Sequence, residues 1–184
     1  EYAFQYMVVR ADGVTKKISD LYSEKVLHKD DQWEPKKVDP TLMNYPAQGD
    51  GYVTVIQTGK PEYQWSDATL NFKRPNKNNL VIYEAWVYDH TVTRDIQGMI
   101  NRMFYYKDMG INAIELMPIQ EFDGNLNWGY SPNHYFALDK AYGTPEHLKT
   151  FIDECHKRGI AVILDMVFNH STGLNPMNKL YPYG

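Results

Sequence analysis

Residues Ala161 to His170 read AVILDMVFNH, an apolar run with one carboxylate inside it and Asn-His at its end. Strands covered on both faces read as nearly continuous hydrophobic runs, and ligand-contacting side chains gather at the carboxyl ends of parallel strands. The stretch therefore predicts a buried strand from Ile160 to Val167, with Asp165 on the same face as Ile163 and Val167. Asn169 and His170 fall where that strand passes into a loop. An unpaired carboxylate on a buried face is costly, and no obvious arginine partner for Asp165 stands near it in sequence.

Working upstream, Thr144 and Pro145 supply the cap and first turn of a helix whose apolar stripe is Leu148, Phe151, Ile152 and Cys155. Ile111 to Met117 (INAIELM) is a second strand. Before it lies a helix capped by Thr93, with Ile96, Met99, Ile100, Met103 and Phe104 at helical spacing. Leu80 to Val87 (LVIYEAWV) is the first strand. Met109-Gly110-Ile111 and Arg158-Gly159-Ile160 punctuate equivalent helix-to-strand turns. This alternation predicts an α/β fold with a parallel sheet and right-handed crossovers. A (β/α)8 barrel closes with eight strands and typically ~250 residues. Three strands therefore form either an open sheet or part of a barrel. The long loop GNLNWGYSPNHYFALDKAYG favours the barrel, because Trp128, Tyr130, Tyr135 and Phe136 lie at the carboxyl end of a strand, where barrel sites are built. Spacing leaves open whether these rings plug the mouth of the barrel or line a site.

Residues 1–79 read differently, with a turn-rich break at PNKNN (Pro75 to Asn79). Tyr2, Phe4, Tyr6 and Val8 alternate as in a strand with one buried face, and Gly51 to Thr58 is a second strand. The polar stretch from Ser23 to Asp50, with Pro35, Pro40 and Pro46, reads as an irregular connection. So little strand suggests a β-rich remnant whose earlier strands are missing, ahead of the α/β region at 80–184.

The 184 residues carry a net charge of -4 with both signs interleaved, so no basic stripe invites nucleic acid. No apolar run approaches the ~20 residues of a membrane-crossing helix, and the first residues do not read as a signal peptide. The compartment stays undecided. Cys155, the single cysteine, excludes an internal disulfide and fits the apolar stripe of its helix as a packed thiol. Aromatic content is 14%, with 15 Tyr, many of them in polar stretches, which suggests flat apolar faces beside hydroxyl groups.

VIYEAWVYDHT (Val81 to Thr91), GINAIELMPI (Gly110 to Ile119) and the run from Asn127 to Ser171 resemble the opening strands of the α-amylase family, glycoside hydrolase family 13. DMVFNH resembles the first signature region of that family. EYAFQYMVV and DLYSEKVL are similar to the end of the β-sandwich, a family 48 carbohydrate-binding module, that precedes the barrel in many members. The resemblance implies a partial (β/α)8 TIM barrel, its first three strands, preceded by the β-rich remnant.

The resemblance further implies that Asp165 is the structural aspartate normally tied to an arginine on the fourth strand. His170 would donate to the sugar beside the scissile bond, Tyr130 would stack on that ring, and Trp128 would belong to the same substrate-binding set. Asn169 matches a residue that binds calcium in many members; one Asn is far short of the six to eight oxygens calcium takes, and an Asn closing the turn is the plain alternative. Ser131 departs from the Asp or Asn that often follows the equivalent Tyr. The nucleophile and the acid of the family, two carboxyls about 5 to 5.5 Å apart in a retaining glycosidase, come from later strands, so the expected catalytic set here is empty. Glu84 and Glu115 match no catalytic position and read as structural.

The expected function is therefore part of a retaining enzyme acting on an α-glucan or maltooligosaccharide, with this chain alone inactive. Two rivals stand beside it: a non-catalytic carbohydrate-binding or scaffold protein with an amylase-like barrel, and an unrelated β/α enzyme using Glu84 and Glu115. An open three-stranded sheet also predicts self-association through its exposed apolar edge.

Overall fold

Gln5 divides the alternating run at the start of the chain. Its side-chain amide donates to the carbonyls of Asp50 and Tyr52, both at 2.8 Å, and accepts from the Asp50 N–H. The computed structural model, which describes residues 1–32 and 38–182, accordingly has two strands there, β1 (Tyr2–Phe4) and β2 (Tyr6–Val9). The single-faced pattern does not hold either: Tyr2 and Tyr6 are exposed. β2 makes a hairpin with β3 (Thr15–Ile18), the chain turning through Gly13 at φ 79°. β1 and β4 (Val26–Leu27) flank β5 (Val53–Ile56) in an antiparallel sheet. β4 thus lies inside the stretch expected to be irregular, while Pro35 lies outside the described residues. Leu27, Leu42, Val53 and Val55 form the core under this sheet.

The second half follows the β/α rhythm. After α1 (Asp67–Leu70) come β6 (Ile82–Ala85), α2 (Val87–His90), α3 (Ile96–Ile100), α4 (Met103–Asp108) and β7 (Ala113–Leu116). β8 (Gln120–Phe122) and β9 (Pro132–Leu138) form a hairpin. α5 (Pro145–Lys157), β10 (Ala161–Leu164) and α6 (Pro176–Leu180) complete the described elements. β6, β7 and β10 pair in parallel in the order β10-β7-β6, so the α/β sheet has the orientation the alternation predicts. α5 starts as expected, with the Thr144 hydroxyl accepting from the His147 N–H at 3.2 Å and Pro145 in the first turn.

Three local expectations are corrected. Asp95, not Thr93, caps the helix after β6, accepting from the Gly98 N–H at 2.7 Å while the Thr93 hydroxyl donates to the Asp95 carboxylate. Gly98 leaves the room that the Thr91 and Thr93 hydroxyls fill. The helix then breaks at Asn101 and Arg102, which shifts its phase: Phe104 is 77% exposed and Tyr106 takes the buried place. β10 stops at Leu164, where its partner β7 ends; only the Asp165 N–H extends the ladder, to the Leu116 carbonyl at 3.0 Å. Asp165 therefore sits just past the strand.

The chain divides into two compact units, one of Glu1–Lys60, Gln120–Ala141 and Val167–Gly184, the other of Pro61–Ile119 and Tyr142–Met166. In the second, α3 and α1 pack on α5, which packs on β10. Ile96, Met99, Ile114, Leu116, Phe151 and Cys155 are fully buried. Among the described residues no helix is long and apolar enough to cross a membrane.

Candidate functional site

The long aromatic loop expected after β7 contains a strand, β9, which pairs with β8 just before it in a hairpin. Its strands carry buried polar residues, Gln120, Glu121, Asn133 and His134, in place of an apolar alternation. Along β9, successive side chains point to opposite faces. His134 reaches the Ser19 hydroxyl at 2.8 Å and Phe136 stacks on Tyr22. Asn133 and Tyr135, from the other face, reach the segment that follows Val167.

That segment brings two of the expected site residues together. The His170 Nε2–H donates to the Tyr130 carbonyl at 2.7 Å, and Nδ1 lies 3.2 Å from the Asn169 side-chain oxygen. The Tyr135 hydroxyl donates to the His170 carbonyl at 3.2 Å, and its ring packs against Phe168. Thr172 follows, its N–H on the Pro132 carbonyl and its hydroxyl on the Asn133 amide oxygen. Tyr130 and Trp128 are exposed on either side of Gly129, whose φ of 95° suits a residue without a Cβ. The result is an imidazole on the segment after Val167 held against the β8–β9 loop that carries two accessible rings, a chemistry suited to stacking against a sugar and bonding its hydroxyls. Asp165 belongs to the other unit, half-buried at the end of β10.

Beneath the hairpin lies a charge cluster. The Lys140 ammonium pairs with Glu121 and, at 3.4 Å, with Asp31, all three buried, and stands over the Tyr52 ring. Asp139 is also buried and accepts from the Ala141 and Phe122 N–H groups. Burial pushes the Glu121 carboxyl up to about 8 and that of Asp139 up to about 6, against the pull of Lys140. The three carboxylates in turn hold Lys140 above the ordinary lysine value. Burial holds His134 neutral, down to about 3. Sequence reading missed this cluster and the Asn133–Tyr135 pair. No residue pattern in that stretch signalled them, because the partners Ser19, Asp31 and Tyr52 are remote in sequence.

Asn169 supplies one amide oxygen, already facing His170, and the described residues hold no group of three His, Cys, Asp or Glu side chains placed for a metal. That donor set falls short of a calcium shell of about six to eight oxygens, so no step is assigned to calcium. Glu84 and Glu115 are register partners on β6 and β7. Cys155 is buried, 3.9 Å from the Met103 sulfur, and burial pushes its thiol up to about 12, as fits a packed residue.

The family model "Alpha amylase, catalytic domain" matches residues 63–178. A malto-oligosyltrehalose trehalohydrolase of Saccharolobus solfataricus is 35% identical over 97% of this chain and 30% of its own length. A 1,4-alpha-glucan branching enzyme of Xanthomonas oryzae pv. oryzae is 34% identical over 74% of this chain and 20% of its own. Among solved structures, the Group B Streptococcus pullulanase SAP superposes with a TM-score of 0.68 at 25% identity, covering 96% of this chain and 26% of the pullulanase. The pneumococcal glycogen-degrading virulence factor SpuA gives 0.68 at 27% identity, over 96% and 21%. The chain thus spans less than a third of each of these relatives. With the model matched across more than half its residues and the parallel β/α order in place, the chain belongs to the α-amylase family.

Proposed function

We propose that this chain is the opening portion of a (β/α)8-barrel enzyme that acts on α-glucans, and that it contributes sugar contacts rather than the reacting carboxylates. β6, β7 and β10 are the first three barrel strands on this reading, and residues 1–79 the tail of a preceding β-sandwich module. The relatives named above act on malto-oligosyltrehalose, 1,4-alpha-glucan or glycogen by their names, and the chain matches them over a minor share of their length. The parent would break an α-1,4 or α-1,6 bond with retention, or transfer the glycosyl unit, through two carboxyls about 5 to 5.5 Å apart on later strands.

The observation that carries the proposal is the His170–Tyr130 contact, which fixes an imidazole N–H on the backbone of the loop that bears the exposed Tyr130 and Trp128 rings. A sugar hydroxyl bonding to Nε2 takes the place of the Tyr130 carbonyl, while the Tyr130 and Trp128 rings offer stacking faces. Asp165 orders the end of β10, and the Asn169 side-chain amide lies beside the imidazole on its Nδ1 side, 3.2 Å away.

The test is turnover of maltooligosaccharides by the complete natural polypeptide that carries this chain, together with its intact mass. The expected result is a mass several-fold above that of 184 residues and a loss in kcat/KM on the order of 10²-fold in His170→Ala, as for a misplaced substrate. Full activity in that variant overturns the role of His170. A mass near that of this chain, with sugar binding and no turnover, favours the non-catalytic binding protein.

A further inference from the structure

We propose that Asn133 and Tyr135, alternate residues on one face of β9, are positioning residues that set where His170 stands. The inference deepens the proposed function and rests on it for its catalytic consequence, but the geometry stands alone. Tyr135 is tied to the His170 carbonyl by its hydroxyl at 3.2 Å and covers the neighbouring Phe168 ring. Two residues back, Asn133 is fully buried, with both side-chain polar atoms and its carbonyl engaged. Its NH₂ donates to the Tyr52 hydroxyl at 3.1 Å, its amide oxygen accepts from the Thr172 hydroxyl, and its carbonyl accepts from the Asn175 side chain at 2.7 Å. The Thr172 N–H on the Pro132 carbonyl closes the set.

His170 is thus bracketed in sequence by two grips, one on its own carbonyl and one on Thr172, two residues on. Both come from one rigid strand, and β9 is itself anchored through Tyr52, whose hydroxyl donates to the Phe122 carbonyl on β8. A buried, fully satisfied amide is a strong specifier of backbone position, because any shift leaves an unpaired polar group without water. The strand end from which both grips arise also leads directly from Tyr130, so the imidazole and the ring that face a sugar are referenced to the same element. The opposite face of β9, where His134 meets Ser19, touches this set only through the Tyr52 ring and makes no hydrogen bond to it, and so serves as a control.

The experiment uses the complete natural polypeptide and reads the imidazole signals of His170 by NMR, assigned through His170→Ala, alongside kcat and KM on maltooligosaccharides. Tyr135→Phe removes one hydroxyl and Thr172→Val one hydroxyl; each is expected to move the His170 signals and lower kcat about five- to tenfold, the size of one lost hydrogen bond. Asn133→Ala is expected to do both more strongly. Ser19→Ala leaves the His170 signals in place. Unmoved His170 signals in Tyr135→Phe and Thr172→Val overturn the proposal, whatever the turnover. Moved signals, with turnover indifferent to these variants and to His170→Ala alike, uphold the clamp and instead refute the sugar-contact reading.

Discussion

The parallel sheet β6–β7–β10 and the hairpin β8–β9 are built on opposite chemistry. β7 buries Ala113, Ile114 and Leu116, apolar side chains whose burial needs only matching volume. The hairpin buries Gln120, Glu121, Asn133 and His134, and the turn after it Asp139 and Lys140. There each group depends on a named partner, and removing one leaves others uncompensated. The difference teaches that the sheet is a tolerant scaffold, whereas the region presenting Tyr130 and receiving His170 is set by a network that tolerates little change.

Paired substitutions break that comparison most directly. Lys140→Met removes the cation between Glu121 and Asp31 and is expected to cost about 3–5 kcal/mol, against less than ~1.5 kcal/mol for Leu116→Met, which conserves volume. Urea unfolding of the two variants checks this; equal losses would erase the distinction. Amide exchange sharpens it further, with Lys140→Met expected to open β8 and β9 while β7 keeps its protection.

The hairpin should also carry a pH signature. His134 is held down to about 3 in the fold, so between that value and its ordinary 6.5 the unfolded chain binds more protons and acidification removes stability, by at most ~1.4 kcal/mol per pH unit. Glu121 and Asp139, raised to about 8 and about 6, have the opposite slope: the fold holds their protons longer, and stability falls as pH rises from about their ordinary values through these. His134→Gln is expected to remove the His134 part of the slope, so that on acidification from about pH 6.5 toward ~4.5 the variant gains stability relative to the natural chain. Parallel profiles contradict this.

Smaller effects belong to the apolar unit. Asp95→Ala removes the cap of α3 at a cost of about 1 kcal/mol in thermal unfolding. Cys155, buried with its thiol pushed up to about 12, is expected to resist iodoacetamide at pH 8 in the folded chain and to react on unfolding.

How much of this was legible follows the same divide. The positions of the strands around Ile114 and Ile163, the Thr144–Pro145 helix start and the turns at Gly110 and Gly159 were readable from residue type at fixed periods, but the full burial expected of the last strand is not found: β10 is half-buried and Leu164 exposed. The helix break after Ile100 was not, since the apolar spacing continues through Phe104 and neither Asn101 nor Arg102 is a Gly or Pro that would mark a stop. The hairpin was not, since its strands bury amides and charges whose partners Ser19, Asp31 and Tyr52 are remote in sequence. His170 and Tyr130 could be named from motif resemblance, but the Nε2 contact between them, and Tyr135 behind it, are properties of the folded chain alone.

The most direct test of the account is a titration of the complete natural polypeptide with maltotetraose, followed through the His170 ring signals. The account predicts a saturable shift of the Nε2–H signal as a sugar hydroxyl displaces the Tyr130 carbonyl, with no such shift for cellotetraose. An unmoved His170 at saturating maltotetraose, or the same response to both sugars, would contradict it.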